Sequence, residues 1–210
     1  MTDPHIVLAI ESAVAGGSVS LLRDGNEIAD WTGTSNVSKA EELLVNIDEL
    51  LKKNKIAKPD IGLIAVSAGP GSFTGIRIGI ATALGLRAGL GIQMSSESAL
   101  KAMAFLQPDN EQITVAIPMG RSAVCCQSFK KQKEITIAVD EPRTMPEGTF
   151  LSMALRETDA AFVLHSALYE KADHGTNVIN FGANIAYAVG MICRPKAGVV
   201  TEPLFISKGF

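Results

Sequence analysis

The sequence predicts an α/β protein of two related lobes that face a cleft, because one order of elements occurs twice along its 210 residues. In the first copy, residues 5–10, 18–23 and 27–34 have the apolar or alternating patterns of strands, with turn-forming residues between them. Residues 113–118, 122–129 and 134–139 repeat that order, with a charged turn at residues 130–133. This indicates internal duplication. We expect an N-terminal lobe over residues 1–108 and a smaller, degenerate C-terminal lobe over residues 109–210.

Turn chemistry and periodicity justify the other elements in chain order. The pair Asp24-Gly25 tolerates positive φ and predicts a hairpin turn. Residues 38–53 have the period of a helix with one apolar face, which consists of Ala40, Leu43, Leu44, Ile47, Leu50 and Leu51. Residues 61–67 are almost continuously apolar, as in a strand covered on both faces. A helix over 75–89 follows, and the second copy continues with a strand over 161–165 and a helix over 182–192.

A glycine-rich stretch, "SAGPGSFTGIRIG" at residues 67–79, joins the buried strand to the helix. Thr74 is the predicted N-cap, and Phe73 is positioned to staple onto Ile78. The stretch lacks the Gly-Lys-Ser/Thr of a P-loop and the spacing of a dinucleotide fingerprint. Amides at such a junction attract anions, whereas a purely steric role for the loop is the competing interpretation. The candidate nucleotide or anion contacts are Glu11, Gly69, Gly71, Ser72 and Thr74.

The helix over 75–89 is apolar on nearly every side, although a helix that covers one sheet face needs only one apolar stripe. Gly75, Gly79 and Ala83 recur every four residues and would form a smooth ridge that a second helix could approach closely. We therefore expect a neighbour beyond the sheet of the same lobe.

Composition excludes several classes of protein. A net charge of −3 and a pI near 5.6 argue against a stand-alone nucleic-acid binder. Cys125, Cys126 and Cys193 have no metal-ligand spacing and are typical of core residues in a reduced compartment. We see neither a signal-peptide pattern nor an apolar run of membrane length. We therefore expect a cytoplasmic protein without membrane contact.

The candidate chemistry is weak. Glu11, at the end of the first strand, is where two-lobed phosphate-transfer enzymes need an acid, yet the equivalent position of the second copy holds Met119 after Pro118. Without that second carboxylate, metal-assisted attack on a phosphate loses its anchor. The scattered histidines, His5, His165 and His174, offer no convergent metal site. We expect no catalytic residue, metal or cofactor.

Residues 67–91, "SAGPGSFTGIRIGIATALGLRAGLG", closely resemble the signature of the TsaB (YeaZ) family. The resemblance extends over residues 6–92, with Glu11 where the family usually has aspartate, and is looser over 113–129. The family tends to have Asp-Ala-Arg after that strand, where this chain has Pro-Met-Gly before Arg121. The His/Arg-rich start of the first helix is replaced by Asn-Val-Ser-Lys at residues 36–39, and the tail "EPLFISKGF" is only vaguely similar.

The resemblance implies the duplicated fold of actin, hexokinase-like sugar kinases and heat-shock ATPases, with mixed sheets flanked by helices. It implies a non-catalytic scaffold for making N6-threonylcarbamoyladenosine in tRNA, which binds the catalytic subunit TsaD and helps recruit the ATPase TsaE. It also implies a homodimer when the chain is alone, and tRNA contact only through the complex. The chain lacks the His-x-x-x-His pair of TsaD. The expected partner-binding residues are Ala40, Leu44, Ile47, Leu51, Gly75, Ile76, Gly79, Ile80, Ala83 and Leu84.

Two alternatives stay open at this point. One is an ATP-dependent small-molecule kinase of the same fold that uses Glu11 and the glycine-rich loop, and saturable ATP binding by the isolated chain would favour it. The other is a homodimeric binding protein with no role in tRNA modification, which failure to bind TsaD would favour.

Overall fold

The computed structural model describes residues 6–14, 16–33, 40–157, 160–172 and 177–193, without the side chains of Ala40, Glu41 and Glu111. The described chain divides into two compact units. The first holds the residues up to Ala99 together with residues 184–193, and the second holds residues 100–183. The division falls before the boundary expected between residues 108 and 109, and residues 184–193 group with the first unit.

The sheet of the first unit has five strands. Its elements are β1 (Ile6–Glu11), β2 (Ser18–Arg23), β3 (Asn26–Thr32), α1 (Ala40–Lys53), a short 3₁₀ helix (Lys58–Asp60), β4 (Leu63–Ser67), α2 (Phe73–Leu90) and β5 (Gln93–Glu97). The strand order is β3-β2-β1-β4-β5, with the first three strands antiparallel and β1, β4 and β5 parallel. The hairpin between β2 and β3 turns at Asp24 (φ 50°) and Gly25 (φ 80°), as the sequence predicted.

The second sheet repeats this topology. After α3 (Ala99–Phe105) come β6 (Asn110–Pro118), β7 (Ala123–Gln132), β8 (Ile135–Ala138), β9 (Arg143–Pro146), α4 (Glu147–Arg156), β10 (Ala161–His165), α5 (Ser166–Tyr169), β11 (Val178–Phe181) and α6 (Ile185–Ile192). The order β8-β7-β6-β10-β11 matches β3-β2-β1-β4-β5 strand for strand, and β9 also pairs with β7. The predicted fold class, a duplicated α/β fold with mixed sheets flanked by helices, is confirmed.

The two helices after β3 and β4 cover the core of the first unit. Leu43, Ile47 and Leu51 of α1 are buried at 2–3% exposure, and they join a core formed with β1, β2 and β4. The face of α2 that points inward consists of Gly75, Ile76, Gly79 and Ala83. Of the other large apolar side chains on these helices, some pack at the rim of this core and others are exposed to solvent.

The start of α2 differs from the prediction. Ser72, not Thr74, is the N-cap, because its Oγ accepts a hydrogen bond from the Gly75 amide at 3.3 Å. Phe73 is therefore the first helical residue. The guanidinium group of Arg77 lies 3.7 Å from the centre of the Phe73 ring, so this ring stacks with the next turn of the helix. Because Phe73 follows the N-cap, it does not occupy the position before the cap from which a hydrophobic staple is made.

Several boundaries also shift. The strand β7 runs on to Gln132, so the predicted charged turn at residues 130–133 is mostly strand; Lys131 is buried there at 7% exposure, near Phe105. The helix α6 starts at Ile185, where Asn184 caps it by accepting from the Ala186 amide at 2.8 Å. No helix in the described parts of the chain is long and apolar enough to cross a membrane.

Candidate functional site

The glycine-rich loop is in contact with the turn that follows β1. The Ser72 amide donates to the Ala13 carbonyl at 2.8 Å, and the Ser12 hydroxyl donates to the Gly75 carbonyl at 2.8 Å. A Cβ at Gly71 would come closer than 3.0 Å to the carbonyl oxygen of Ala13. Hydrogen bonds and close packing thus hold the turn after β1 against the loop before α2 within the first unit.

The glycine ridge of α2 faces this same turn. A Cβ at Gly75 would come closer than 3.0 Å to the carbonyl oxygen of Ser12. A Cβ at Gly79 would come closer than 3.0 Å to the hydroxyl oxygen of Ser12. Ala83 continues the ridge and is fully buried. The assignment of this ridge to a partner helix is corrected: the smooth surface lets the chain's own Ser12 turn approach the helix.

Four backbone amides of the loop and of the start of α2 already have acceptors in the protein. The Gly69 amide donates to Ser67 Oγ at 3.2 Å, Ser72 to the Ala13 carbonyl, and Gly75 and Ile76 to Ser72. These bonds support the steric interpretation of the loop. Binding of a nucleotide or anion by Gly69, Gly71, Ser72 and Thr74 stays a prediction.

Glu11 lies at the end of β1, as the sequence predicted, and is buried at 2% exposure. Its Oε1 accepts from the amides of Ala13 at 2.5 Å and Val14 at 2.9 Å. Burial raises the pKa of Glu11 to about 7, although these two hydrogen bonds favour the charged form. The carboxyl group thus organises the turn that holds α2.

The other chemical candidates are placed in structural roles. His165 Nδ1 accepts from the Ala167 amide at 3.2 Å, and burial lowers the pKa of this histidine. The three cysteines are buried and form no disulfide with one another. Within the described ranges, no three His, Cys, Asp or Glu side chains lie close enough together to hold a metal ion. His5 and His174 lie outside the described residues.

The structure separates the expected partner-binding residues into two groups. Buried within their own unit are Ile47, Leu51, Gly75, Ile76, Gly79 and Ala83, and Ile80 is half-buried. Leu44 (53% exposed) and Leu84 (44%) face solvent, and sequence reasoning missed Val45 (56%), which follows Leu44 in α1. We call Leu44, Val45 and Leu84 the α1/α2 face. The side chain of Ala40 lies outside the described residues.

A groove of about 330 Å³ lies beside this face, between α1 and the second half of α2. It is lined by Leu8, Leu44, Ile47, Asp48, Leu51, Lys58, Ile61, Leu86 and Leu90. Asp48 is its acidic group: it pairs with Lys52 at 2.5 Å and Lys58 at 3.1 Å, and these hydrogen bonds lower its pKa. Leu86 and Leu90 were missed by the sequence reasoning, although their four-residue spacing on α2 could have indicated a shared face.

Comparison with solved structures first defines the class of fold. A structure titled YeaZ from Pseudomonas aeruginosa superposes with a TM-score of 0.68 at 21% identity, covering 89% of each chain. The ethanolamine utilization protein EutJ from Carboxydothermus hydrogenoformans superposes with a TM-score of 0.56 at 11% identity, covering 90% of each chain. At these identities the likeness concerns the fold alone. The chain is thus a YeaZ-like protein in architecture.

The family follows from the sequence comparisons. A family model described as "TsaD: tRNA N6-adenosine threonylcarbamoyltransferase" matches residues 36–187. Two curated relatives named tRNA threonylcarbamoyladenosine biosynthesis protein TsaB are similar: that of Escherichia coli K12 (36% identity; 47% of this chain, 42% of the relative) and that of Haemophilus influenzae (35%; 60% and 55%). The chain spans about half the length of the curated relatives it matches. It belongs to the TsaB (YeaZ) family of tRNA threonylcarbamoyladenosine biosynthesis, within the wider family of that model.

Proposed function

We propose that the chain is a non-catalytic scaffold and activator in the formation of N6-threonylcarbamoyladenosine in tRNA. It binds a TsaD-type catalytic subunit and helps recruit a TsaE-type ATPase. TsaD transfers the threonylcarbamoyl group from its adenylate to the adenosine beside the anticodon, and tRNA reaches this chain only through the complex. When alone in the cytoplasm, the chain pairs with itself.

The observation that carries this proposal is the exposed α1/α2 face. Leu44, Val45 and Leu84 are each 44–56% exposed, although large apolar side chains are more stable when they leave water. Apolar patches that are exposed on a soluble protein commonly mark places where another protein binds. The adjoining groove of about 330 Å³ adds the concave, apolar shape that an anchoring side chain of the partner needs.

The contacts of α2 within its own unit also determine which substitutions can test the α1/α2 face. Gly79 is in contact with Ser12, so a large residue there would disturb the fold and would not report on the partner. Substitutions at Leu44 and Leu84 place a charge on the surface of the isolated chain and cost the fold little. In a complex they bury that charge without a counter-ion.

We expect wild-type protein mixed with TsaD from the same organism to form a heterodimer in size-exclusion chromatography with light scattering. Leu44→Asp and Leu84→Asp should each weaken this binding by about 30-fold or more, because both place a charge at the centre of the contact. Ile179→Asp is the matched control. It changes an exposed isoleucine (38%) in the second unit and should leave binding unchanged.

Two results would contradict the proposal. Wild type that stays with itself and ignores TsaD would favour the homodimeric alternative. Equal binding by wild type, Leu44→Asp and Leu84→Asp would move the contact away from the α1/α2 face.

A further inference from the structure

Residues 50–96 are basic, although the whole chain carries a net charge of −3. They contain one acidic residue, Asp60, and six cations, which are Lys52, Lys53, Lys55, Lys58, Arg77 and Arg87. Four of these cations fall within residues 52–58, and we call them the lysine turn: Lys52, Lys53, Lys55 and Lys58. Such a concentration of positive charge in one stretch of an acidic chain is typical of a surface that meets an anionic partner.

The end of α1 fixes the backbone of the lysine turn. The Ile56 amide donates to the Leu51 carbonyl at 3.0 Å, and the Lys55 amide donates to the Lys52 carbonyl at 3.1 Å. These are the two hydrogen bonds of a Schellman motif, and Lys55 has its positive φ (56°) at a position that glycine usually occupies. Ile56 is buried at 6% exposure and anchors the turn in the core of the first unit.

The four lysine side chains of the turn are exposed. Asp48 pairs with both Lys52 and Lys58, so one carboxylate compensates one of these two positive charges. Among the residues whose side chains the structure describes, none forms an ion pair with Lys53 or Lys55. These two ammonium groups are therefore available to an anion outside the chain.

Positive charge is in excess along this part of the chain. Between residues 48 and 60 the acidic residues besides Asp48 are Glu49, on the preceding turn of α1, and Asp60, whose carboxylate already accepts a backbone amide at 2.9 Å. Arg87 adds a fifth cation from the last turn of α2, whose second half lines the same groove as Lys58.

We propose that the lysine turn binds the phosphate backbone of tRNA while a TsaD-type subunit on the neighbouring α1/α2 face holds that tRNA. The inference rests on the proposed function, because tRNA is the polyanion of that reaction. Lys58 lines the groove beside the α1/α2 face, so the turn lies next to the bound subunit. Lysine is a flexible point charge that contacts phosphate groups and carries no direct information about base sequence. The contact should therefore be independent of sequence and weaken as salt is added.

Fluorescence anisotropy of labelled substrate tRNA, titrated with the preformed complex of this chain and TsaD, measures the contact. The double variant Lys53→Glu/Lys55→Glu should weaken tRNA binding at least about tenfold near 0.1 M salt and lower the slope of log Kd against log salt concentration by about 1–2. The neutral variant Lys53→Gln/Lys55→Gln should give a smaller loss and a similar change of slope, and it decides the result if charge reversal disturbs the end of α1.

Lys130→Glu/Lys133→Glu is the matched control in the second unit. It makes the same change of net charge, and like the first pair it includes one residue with positive φ, 53° at Lys133 against 56° at Lys55. This control should keep the affinity for tRNA within about twofold of wild type.

The lysine variants should keep the fold and the heterodimer with TsaD, which circular dichroism and size-exclusion chromatography verify. Unchanged tRNA affinity and salt slope in both double variants at Lys53 and Lys55 would overturn the inference and leave the proposed function standing. Equal weakening by the control would also overturn it, because the effect would then come from net charge. Loss of TsaE binding with unchanged tRNA affinity would assign the turn to an acidic protein surface instead. Leu84→Asp should lose TsaD itself, so the two proposals fail separately.

Discussion

Gly75→Ala is expected to lower the free energy of unfolding by about 3 kcal/mol, a large effect for the addition of one methyl group. A Cβ at this position would come closer than 3.0 Å to the carbonyl oxygen of Ser12 and to the Cα of Ala13. These are backbone atoms, held by the bonds from Ser72 to Ala13 and from Ser12 to Gly75, so they cannot move aside alone. Urea unfolding followed by circular dichroism measures the change.

Gly85→Ala is the matched control in the same helix. A Cβ there would meet no atom within 4 Å. Because alanine is the better helix former, we expect this variant to be more stable than wild type by up to about 1 kcal/mol. If both variants had the same stability, the close contact between α2 and the Ser12 turn would be refuted.

The stability of the folded chain is expected to fall as the pH rises from about 4.5 to about 7, because burial raises the pKa of Glu11 from 4.5 to about 7. Between these values the unfolded chain has released the proton and the folded chain still holds it, so unfolding becomes more favourable. Below 4.5 both states are protonated and the penalty is absent. The full penalty from this group, reached above about pH 7, is about 3 kcal/mol.

Glu11→Gln tests this assignment. The neutral amide oxygen can still accept from Ala13 and Val14, so the variant should match wild type near pH 4 and exceed its stability by about 3 kcal/mol at pH 8. Urea unfolding of wild type and Glu11→Gln at a series of pH values from 4 to 8 measures this difference in stability. A constant difference at every pH would mean that Glu11 titrates normally in the folded chain.

The duplication could be predicted from sequence because its signals are local. Alternating strands, the Asp24-Gly25 turn and the glycine-rich stretch each occupy a few consecutive residues. Elements without such signals were missed. The strand β5, "QMSSE", is mostly polar although Met94 and Ser95 are buried, and β11 is only four residues long.

The glycine ridge of α2 could be predicted from the sequence, but the neighbour that contacts it could not. A four-residue spacing indicates that one side of a helix is smooth, but it does not indicate which neighbour uses that side. Here the neighbour is a turn about 60 residues earlier in the chain, bonded through Ser12 to Gly75. The same limit applies to Glu11, because its burial depends on how that turn and α2 come together.

The residues expected to bind a partner divide into exposed and buried ones for a related reason. Leu44 and Leu84 belong to the expected set and are exposed, whereas Ile47 and Ile76 belong to it and are buried. Helical periodicity defines which residues share a face, but which apolar face meets the chain's own sheet is decided by the tertiary structure. The exposure of Val45, next to Leu44, follows from the same orientation of α1.

The proposed function is tested most directly by reconstitution of the modification. Purified TsaD and TsaE, substrate tRNA, ATP and threonylcarbamoyl adenylate are incubated with this chain, without it, or with Leu84→Asp, and the N6-threonylcarbamoyladenosine formed is quantified by mass spectrometry. Our account predicts product with wild type, little product without the chain, and partial recovery with Leu84→Asp when its concentration is raised. Equal product with and without the chain would contradict its role as an activating scaffold.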